Sequence, residues 1–418
     1  MDRYPYRRSV AVTGMAATTP AGAGTDQLWD ALIAAQGTLA STLGPTDTDG
    51  AVTEFACRLP GDGDRSWRRL GKLGRRLDPV TRLGLRTALD ALADAALDDV
   101  PARTAAPGDS HRYAVVAGTA FGASTTLESP ERGTFFVPMA MHNALPAAIS
   151  LAAGLTGPST AVSAACATGA VAIGEGTRLI HDGLADVVVA GGAELLTERS
   201  LTGIRASGAL SERHRQFRSA SRPFDVDRDG TVASEGAAFV VLEHPAHAAR
   251  RGAREYGRIS GYGVTCDAHH LTSPRPGGEG AARCMRSALA DAGIDATDVA
   301  HVNAHATSTR VGDAAEARAI AAVFGPRTVP VTANKGVTGH MIAASGAAEA
   351  IVTLLTLAHA VAPPTANTAE VESDLEIDLV TGPPRPLGAG ALLSNSFGFG
   401  GHNAALVFVP SPGAAERP

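Results

Sequence analysis

Cysteine is scarce: four occur in 418 residues, Cys57, Cys166, Cys266 and Cys284. They show neither pairing nor CxxC spacing, which excludes a disulfide framework and a zinc site and fits a reducing cytosol. Lysine is scarcer still. Only Lys72 and Lys335 occur and every other basic residue is an arginine, so a retained lysine marks a place where a guanidinium does not serve. An excess of positive charge is missing as well. With 36 basic and 42 acidic residues the net charge is −6, so composition makes no case for nucleic acid or an anionic membrane as partner, and a basic docking surface must be local. The N-terminus, Met1 to Arg8, is polar and reads as lacking a signal peptide. Charge of either sign is absent from Asn143 to Gly174. Pro146, Pro158 and repeated Gly, Ser and Thr break that run into short pieces, so it reads as buried core and not as a membrane span.

What remains is an ordinary globular composition, 44% hydrophobic and 19% charged, in a chain long enough for a large core or two domains. Apolar runs at Ser9–Met15, Tyr113–Gly118, Ala185–Gly192, Gly236–Glu243, Arg258–Val264 and Val299–Ala304 read as strands, the first ending at Gly14. Helical periodicity appears from Thr25, from Val80 to Leu97 and from Gly280 to Gly293, and this alternation predicts an α/β architecture with buried sheets. Ser211 to Gly230 reads as polar loop. The boundary between two halves falls near Arg254, giving residues 1–254 and 255–418. A faint internal echo supports related halves: strand, turn and small-residue helix occur at Thr160–Ile180 and again at Val329–Leu357, with Gly169 and Gly346 inside the helices.

The chain is organised around Cys166. Ser159 to Ala165 reads as a short buried strand and the residues after Cys166 as a helix, which puts the sulfur at a helix start, where unpaired N–H groups favour a thiolate. Three further segments carry polar residues at strand ends: His301 to Glu316, Asn334 to His340 with Glu349 beyond it, and the glycine-rich turn Asn395 to Asn403. A lone histidine or a lone glycine turn is weak evidence. Together they make a coherent acyl-transfer site, in which the Cys166 thiolate holds an acyl group as a thioester. Neutral His305 and His340 donate to an oxygen that becomes anionic, Lys335 fixes their charge and tautomer, and Glu349 holds Lys335. The N–H groups of Cys166 and Phe399 form a second oxyanion hole.

These residues resemble those of the β-ketoacyl-acyl-carrier-protein synthases, the decarboxylating condensing enzymes of fatty acid and type II polyketide synthesis, and the likeness runs from Val10 to Phe408. It implies a thiolase fold, five-layered αβαβα with two similar halves, usually as a dimer. It makes Cys166 the nucleophile, His305 and His340 the catalytic histidines, and Lys335 and Glu349 their supporting ion pair. Thr307 and Thr309 then contact the carrier's phosphopantetheine arm, Phe397 joins the substrate-binding residues, and Phe399 is the gating aromatic. Three departures are visible. Ala306 stands where the family usually has glycine after the first histidine, and Ala343 where glycine is common; both are expected beside the pantetheine arm. Phe121 occupies an acyl-pocket position that is often aliphatic, which predicts a shortened or reshaped channel.

The resemblance implies an elongating 3-oxoacyl synthase that takes malonyl-carrier protein as extender and needs no metal or organic cofactor. Its partners are an acyl carrier protein and a second copy or a related ketosynthase-like chain, without nucleic acid or membrane, in the cytoplasm. A non-catalytic chain-length partner is the alternative; it characteristically lacks the nucleophile, which Cys166 supplies here. A thiolase wants a second catalytic cysteine near the C-terminus, and none follows Cys284. The run Arg65, Arg68, Arg69, Lys72, Arg75 and Arg76 holds no acidic residue among its positive charges and is read as the docking patch for the acidic carrier protein.

Overall fold

The computed structural model describes residues 9–42, 55–59, 70–98, 110–130 and 132–412. Its strands hydrogen-bond into one long sheet with an internal repeat. From one edge inward run Ser159–Ala161, Tyr113–Gly118, Val187–Glu194, Gly236–Glu243 and Val10–Thr19. By chain order, and leaving two-residue strands aside, these are the third, second, fourth, fifth and first of their array. Pro330–Thr332, Val299–Asn303, Ala391–Gly398, His402–Val409 and Gly257–Cys266 repeat that order. The directions repeat too: the first three strands of each array are parallel, and the last two pair antiparallel. The arrays meet where Val10, Ala11 and Val12 pair with Ile259, Arg258 and Gly257.

Strict alternation along the buried strands divides the side chains among three cores. Val187 and Val189 face outward onto the helix Pro79–Asp94, and Val188 and Ala190 face inward. The outward face of the second array, with Val302, Val331 and Leu393, packs on Glu279–Ala292 and Arg310–Phe324. Between the arrays lie the two helices Thr168–His181 and Ser345–His359. Helix, sheet, paired helices, sheet and helix make five layers. Strands covered on both faces read as continuous apolar runs, which is why they were visible in the sequence.

Local chemistry sets the ends of these elements. Asp78 caps Pro79–Asp94 through Val80 N at 2.9 Å, Thr309 caps Arg310–Phe324 through Gly312 N at 3.2 Å, and Gly293 ends Glu279–Ala292 at φ 67°, where a side chain would be strained. The segment Ile342–His359 is long and apolar enough to cross a membrane, but most of it is buried between the sheets.

Several expectations change. The first strand continues through Gly14 to Thr19, with a bulge after Val12. The strand before Cys166 covers only Ser159–Ala161, at the sheet edge, with Ser159 and Thr160 exposed instead of buried. For the same reason the charge-free run is only partly core, and Leu151 within it is 74% exposed. The polar stretch before Gly230 is irregular but not superficial: Ser221, Phe224 and Arg228 are buried, and Arg228 pairs with Asp313 and Glu372. Arg65, Arg68 and Arg69 lie outside the described residues.

Candidate active site

Cys166 sits in a tight turn between the edge strand and the helix Thr168–His181, with Ala165 at φ 49°. Thr168 closes the turn, its hydroxyl donating to Ala165 O at 2.7 Å and accepting from Ala164 N at 2.9 Å. The N–H groups of Phe399 and of Cys166 itself point at the sulfur. They do not make it acidic. Packing around Sγ pushes the thiol up to about 11, against the opposing pull of Lys335 and the Phe399 N–H. Desolvation outweighs the helix-start effect expected from the sequence.

The two histidines face each other edge to face, with ring centroids 5.4 Å apart. His305 follows the strand Val299–Asn303, and its loop is held by Glu316, which accepts from His305 N at 2.9 Å and Ala306 N at 2.7 Å. Asn395 donates to the same carboxylate at 3.1 Å. Lys335 is buried, with Nζ 3.3 Å from His305 Nδ1, while donating to the His305 carbonyl and to Glu349 Oε1. An ammonium serves this three-way junction as a compact point charge, where a planar guanidinium would present its donors in a fixed fork. Burial and the Lys335 charge hold both imidazoles well below the ordinary histidine range, and for His305 the neighbouring His340 adds to this. Both rings are therefore neutral, as a pair of N–H donors requires. Burial pushes Glu349 up to about 7 despite Lys335.

Cys166, His305, His340, Thr307, Thr309 and Phe399 all line one cavity of about 520 Å³, and Phe121 and Phe397 line it too. Thr307 and Thr309 pair through their hydroxyls at 3.0 Å. Phe397 packs its ring against His305, centroids 5.9 Å apart, and Phe399, 40% exposed, heads a glycine turn in which Gly400 and Gly401 take φ 82° and 76°. Among the described residues, no group of three His, Cys, Asp or Glu side chains is arranged to hold a metal ion.

The model of the β-ketoacyl synthase N-terminal domain matches residues 7–248, and that of the β-ketoacyl synthase C-terminal domain matches residues 256–369. The chain belongs to the β-ketoacyl synthase family. With it come the thiolase fold and the acyltransferase class of enzyme. It is 38% identical over 416 residues to a 3-oxoacyl-[acyl-carrier-protein] synthase 2 of Vibrio harveyi, covering 96% of this chain and 98% of the relative. A synthase of the same name from Rhizobium meliloti is 38% identical over 421 residues, with 96% and 98% covered. Among solved structures, a β-ketoacyl synthase from Burkholderia phymatum superposes with a TM-score of 0.86 at 33% identity, over 97% of this chain and all of that one. The ishigamide ketosynthase/chain length factor gives 0.84 at 29% identity, covering 97% and 100%. A type II polyketide acyl carrier protein in complex with its ketosynthase bound to the hexaketide gives 0.85 at 26% identity, covering 97% and 99%.

The departures from this family's pattern divide. Ala306 lines the cavity and takes φ 23°, a left-handed value that favours glycine. Ala343 is fully buried, is not among the residues that line the cavity, and gives its backbone N–H to the Glu194 carboxylate. Two buried groups around the site went unremarked in the sequence: Glu194, which receives Ala120 N at 2.8 Å and Phe121 N at 3.4 Å, and Ser345 beside His340. Glu316, named there only as the end of the His301 segment and given no part, lies under the His305 loop. Burial pushes Glu194 up to about 8 against those backbone donors. For Glu316 the available signal was its spacing from Asp313, which puts two acidic residues on one buried helix face. Of the basic run, Lys72, Arg75 and Arg76 are exposed, and Arg76 lies over the Phe135 ring at 4.3 Å.

Proposed function

We propose that this synthase condenses a Cys166-bound acyl group with carrier-bound malonate, releasing carbon dioxide and a 3-oxoacyl product two carbons longer. The observation that carries the reading is the convergence of Cys166, His305 and His340 on one cavity, with Lys335 behind the histidines. Cys166 Sγ attacks the incoming thioester, the carrier's pantetheine thiolate leaves, and it takes the proton that the cysteine gives up. The N–H groups of Cys166 and Phe399 stabilise the tetrahedral oxyanion of that step. In the second half-reaction the malonyl carboxylate leaves as carbon dioxide and its electron pair passes into an enolate, whose oxygen receives N–H bonds from His305 and His340. A donor aimed at such an oxygen is commonly worth about 3 kcal/mol. The enolate carbon attacks the Cys166 thioester, the cysteine leaves as thiolate, and one proton taken up restores the thiol.

On this reading Lys335 and Glu349 keep both rings neutral, Thr307 and Thr309 bind the pantetheine arm, and no metal or organic cofactor takes part. The two thiolase-like halves divide near Arg254, a division that the repeated strand order supports. The partner is an acyl carrier protein docked on the basic run from Arg65 to Arg76, and the four free cysteines suit the cytosol. A second ketosynthase-like chain, identical or related, covers the exposed apolar face around Leu151 and the edge strand. A purely structural chain-length partner is disfavoured because the nucleophile and both histidines are present and meet. Fatty acid and polyketide pathways both remain compatible with these groups.

Intact mass after exposure to a ladder of acyl carrier proteins tests the reading. The wild type is expected to gain one acyl group and Cys166→Ala none, with short primers loading best if Phe121 shortens the channel. An equal gain in Cys166→Ala overturns the assignment of the nucleophile, and equal loading of long saturated chains overturns the role of Phe121.

A further inference from the structure

His340 is held from one side. Its Nδ1 lies 3.0 Å from Oγ of Ser345, the residue that opens the helix Ser345–His359. Its Nε2 is buried without a partner among the described residues, and the residue lines the cavity. Ser345 is 1% exposed, and among the described residues its hydroxyl has no other hydrogen-bond partner than this ring.

A contact at this distance admits two tautomers of the neutral imidazole. With the proton on Nδ1, the ring donates to Oγ. The hydroxyl proton then has no acceptor, and the Nε2 lone pair is unpaired as well. With the proton on Nε2, the hydroxyl donates to Nδ1, and the single unpaired group is a buried N–H on a ring that lines the cavity. Buried polar groups without partners are penalised, so the second arrangement prevails, and the donor it leaves over is the one that a substrate oxygen satisfies.

We propose that Ser345 is a positioning residue whose hydroxyl donates to His340 Nδ1 and so holds the ring as its Nε2–H tautomer, aimed at the oxygen that becomes negative during decarboxylation. The inference rests on the condensation reading above for its chemistry, but not for its geometry. In the step it serves, the bond to the carboxylate carbon breaks, carbon dioxide leaves, and the electron pair is delocalised onto the thioester oxygen, which accepts from Nε2–H; no proton is lost.

The test compares wild type, Ser345→Ala and Ser345→Thr, each with histidine ring nitrogens labelled with nitrogen-15 and with His340→Asn to assign the signal. Wild type and Ser345→Thr are expected to show His340 protonated on Nε2, and Ser345→Ala a mixed ring. In steady-state decarboxylation of malonyl-carrier protein, Ser345→Ala is expected to lower kcat about 3- to 10-fold, the worth of one ordinary hydrogen bond, with KM unchanged, and Ser345→Thr to recover it. A wild-type ring protonated on Nδ1, or a Ser345→Ala protein with unchanged ring signals and unchanged kcat, overturns the proposal. A wild type that decarboxylates nothing would instead sink the condensation reading, while the ring signals still decide the tautomer.

Discussion

Ala306 combines a backbone conformation that suits glycine with a position beside His305. Its φ of 23° is enforced from outside: Glu316 Oε2 accepts its N–H at 2.7 Å, and the neighbouring Ser308 N is tied to Asp313 at 3.0 Å. A left-handed alanine costs roughly 1–2 kcal/mol, and glycine loses roughly 0.5–1 kcal/mol of that advantage through its unfolded-state freedom. Ala306→Gly is therefore expected to stabilise the protein by about 0.5–1 kcal/mol, read as a higher urea midpoint with an unchanged slope. A lower midpoint would mean that the methyl packs usefully against the loop. The residues that line the site were legible only as a set, because a cysteine, a lysine and two histidines gathered at strand ends have little structural reason to be there together. Ser345 and Glu194 were not, and Glu316 was named without a part, since these groups receive or give hydrogen bonds to backbone and ring atoms that only the folded chain brings near. The thiol's rise to about 11 was hidden for a similar reason: the helix start is written in local sequence, whereas the packing that desolvates Sγ comes from distant segments.

At the scale of elements, the site depends on how the two central helices cross. Thr168–His181 is the helix that Cys166 precedes, and Ser345–His359 carries Glu349 and follows His340. They approach at Gly169 and Gly346. A Cβ on Gly169 would fall 2.6 Å from Ala347 N, and one on Gly346 2.8 Å from Ala170 N. Neither obstacle is a side chain that can swing away. Gly169→Ala must push the helices apart, and overpacking of this kind costs about 1–3 kcal/mol. On the proposed reading the expected outcome is a lower urea midpoint together with slower Cys166 acylation, because the displacement moves Cys166 relative to the facing helix. Unchanged stability and acylation would show that the crossing is loose. This contact is the structural meaning of the echo between Thr160–Ile180 and Val329–Leu357, which pattern alone could suggest but not place. The edge strand Ser159–Ala161 shows the opposite limit: an apolar, charge-free run looks the same whether it is covered by its own chain or left for another.

For the molecule as a whole, that uncovered edge is continuous with an apolar face. Ser159 Oγ meets Ser150 Oγ at 3.1 Å, which seats the strand beside the helix Ala144–Ala153; on that helix Leu151 is 74% exposed, and Val137 on the preceding helix is 64% exposed. Leu127, Phe135 and Met141 add to the same stretch of chain. Exposed apolar clusters and unpaired strand edges are both unfavourable in water, and one symmetric contact removes both. If a second copy covers this face, stability and association are linked, and the thermal midpoint must rise with protein concentration. The double variant Val137→Glu with Leu151→Glu places four like charges across the two-fold contact and is expected to sediment at half the wild-type mass, with a midpoint that no longer depends on concentration. Both substituted side chains point to solvent in the single chain, so folding itself has no reason to suffer. A double variant that sediments with the wild type and keeps its concentration dependence would exclude this face as the interface. A monomeric variant that still gains one acyl group at Cys166 would show that loading needs one chain only, leaving to the pair whatever condensation then fails to occur.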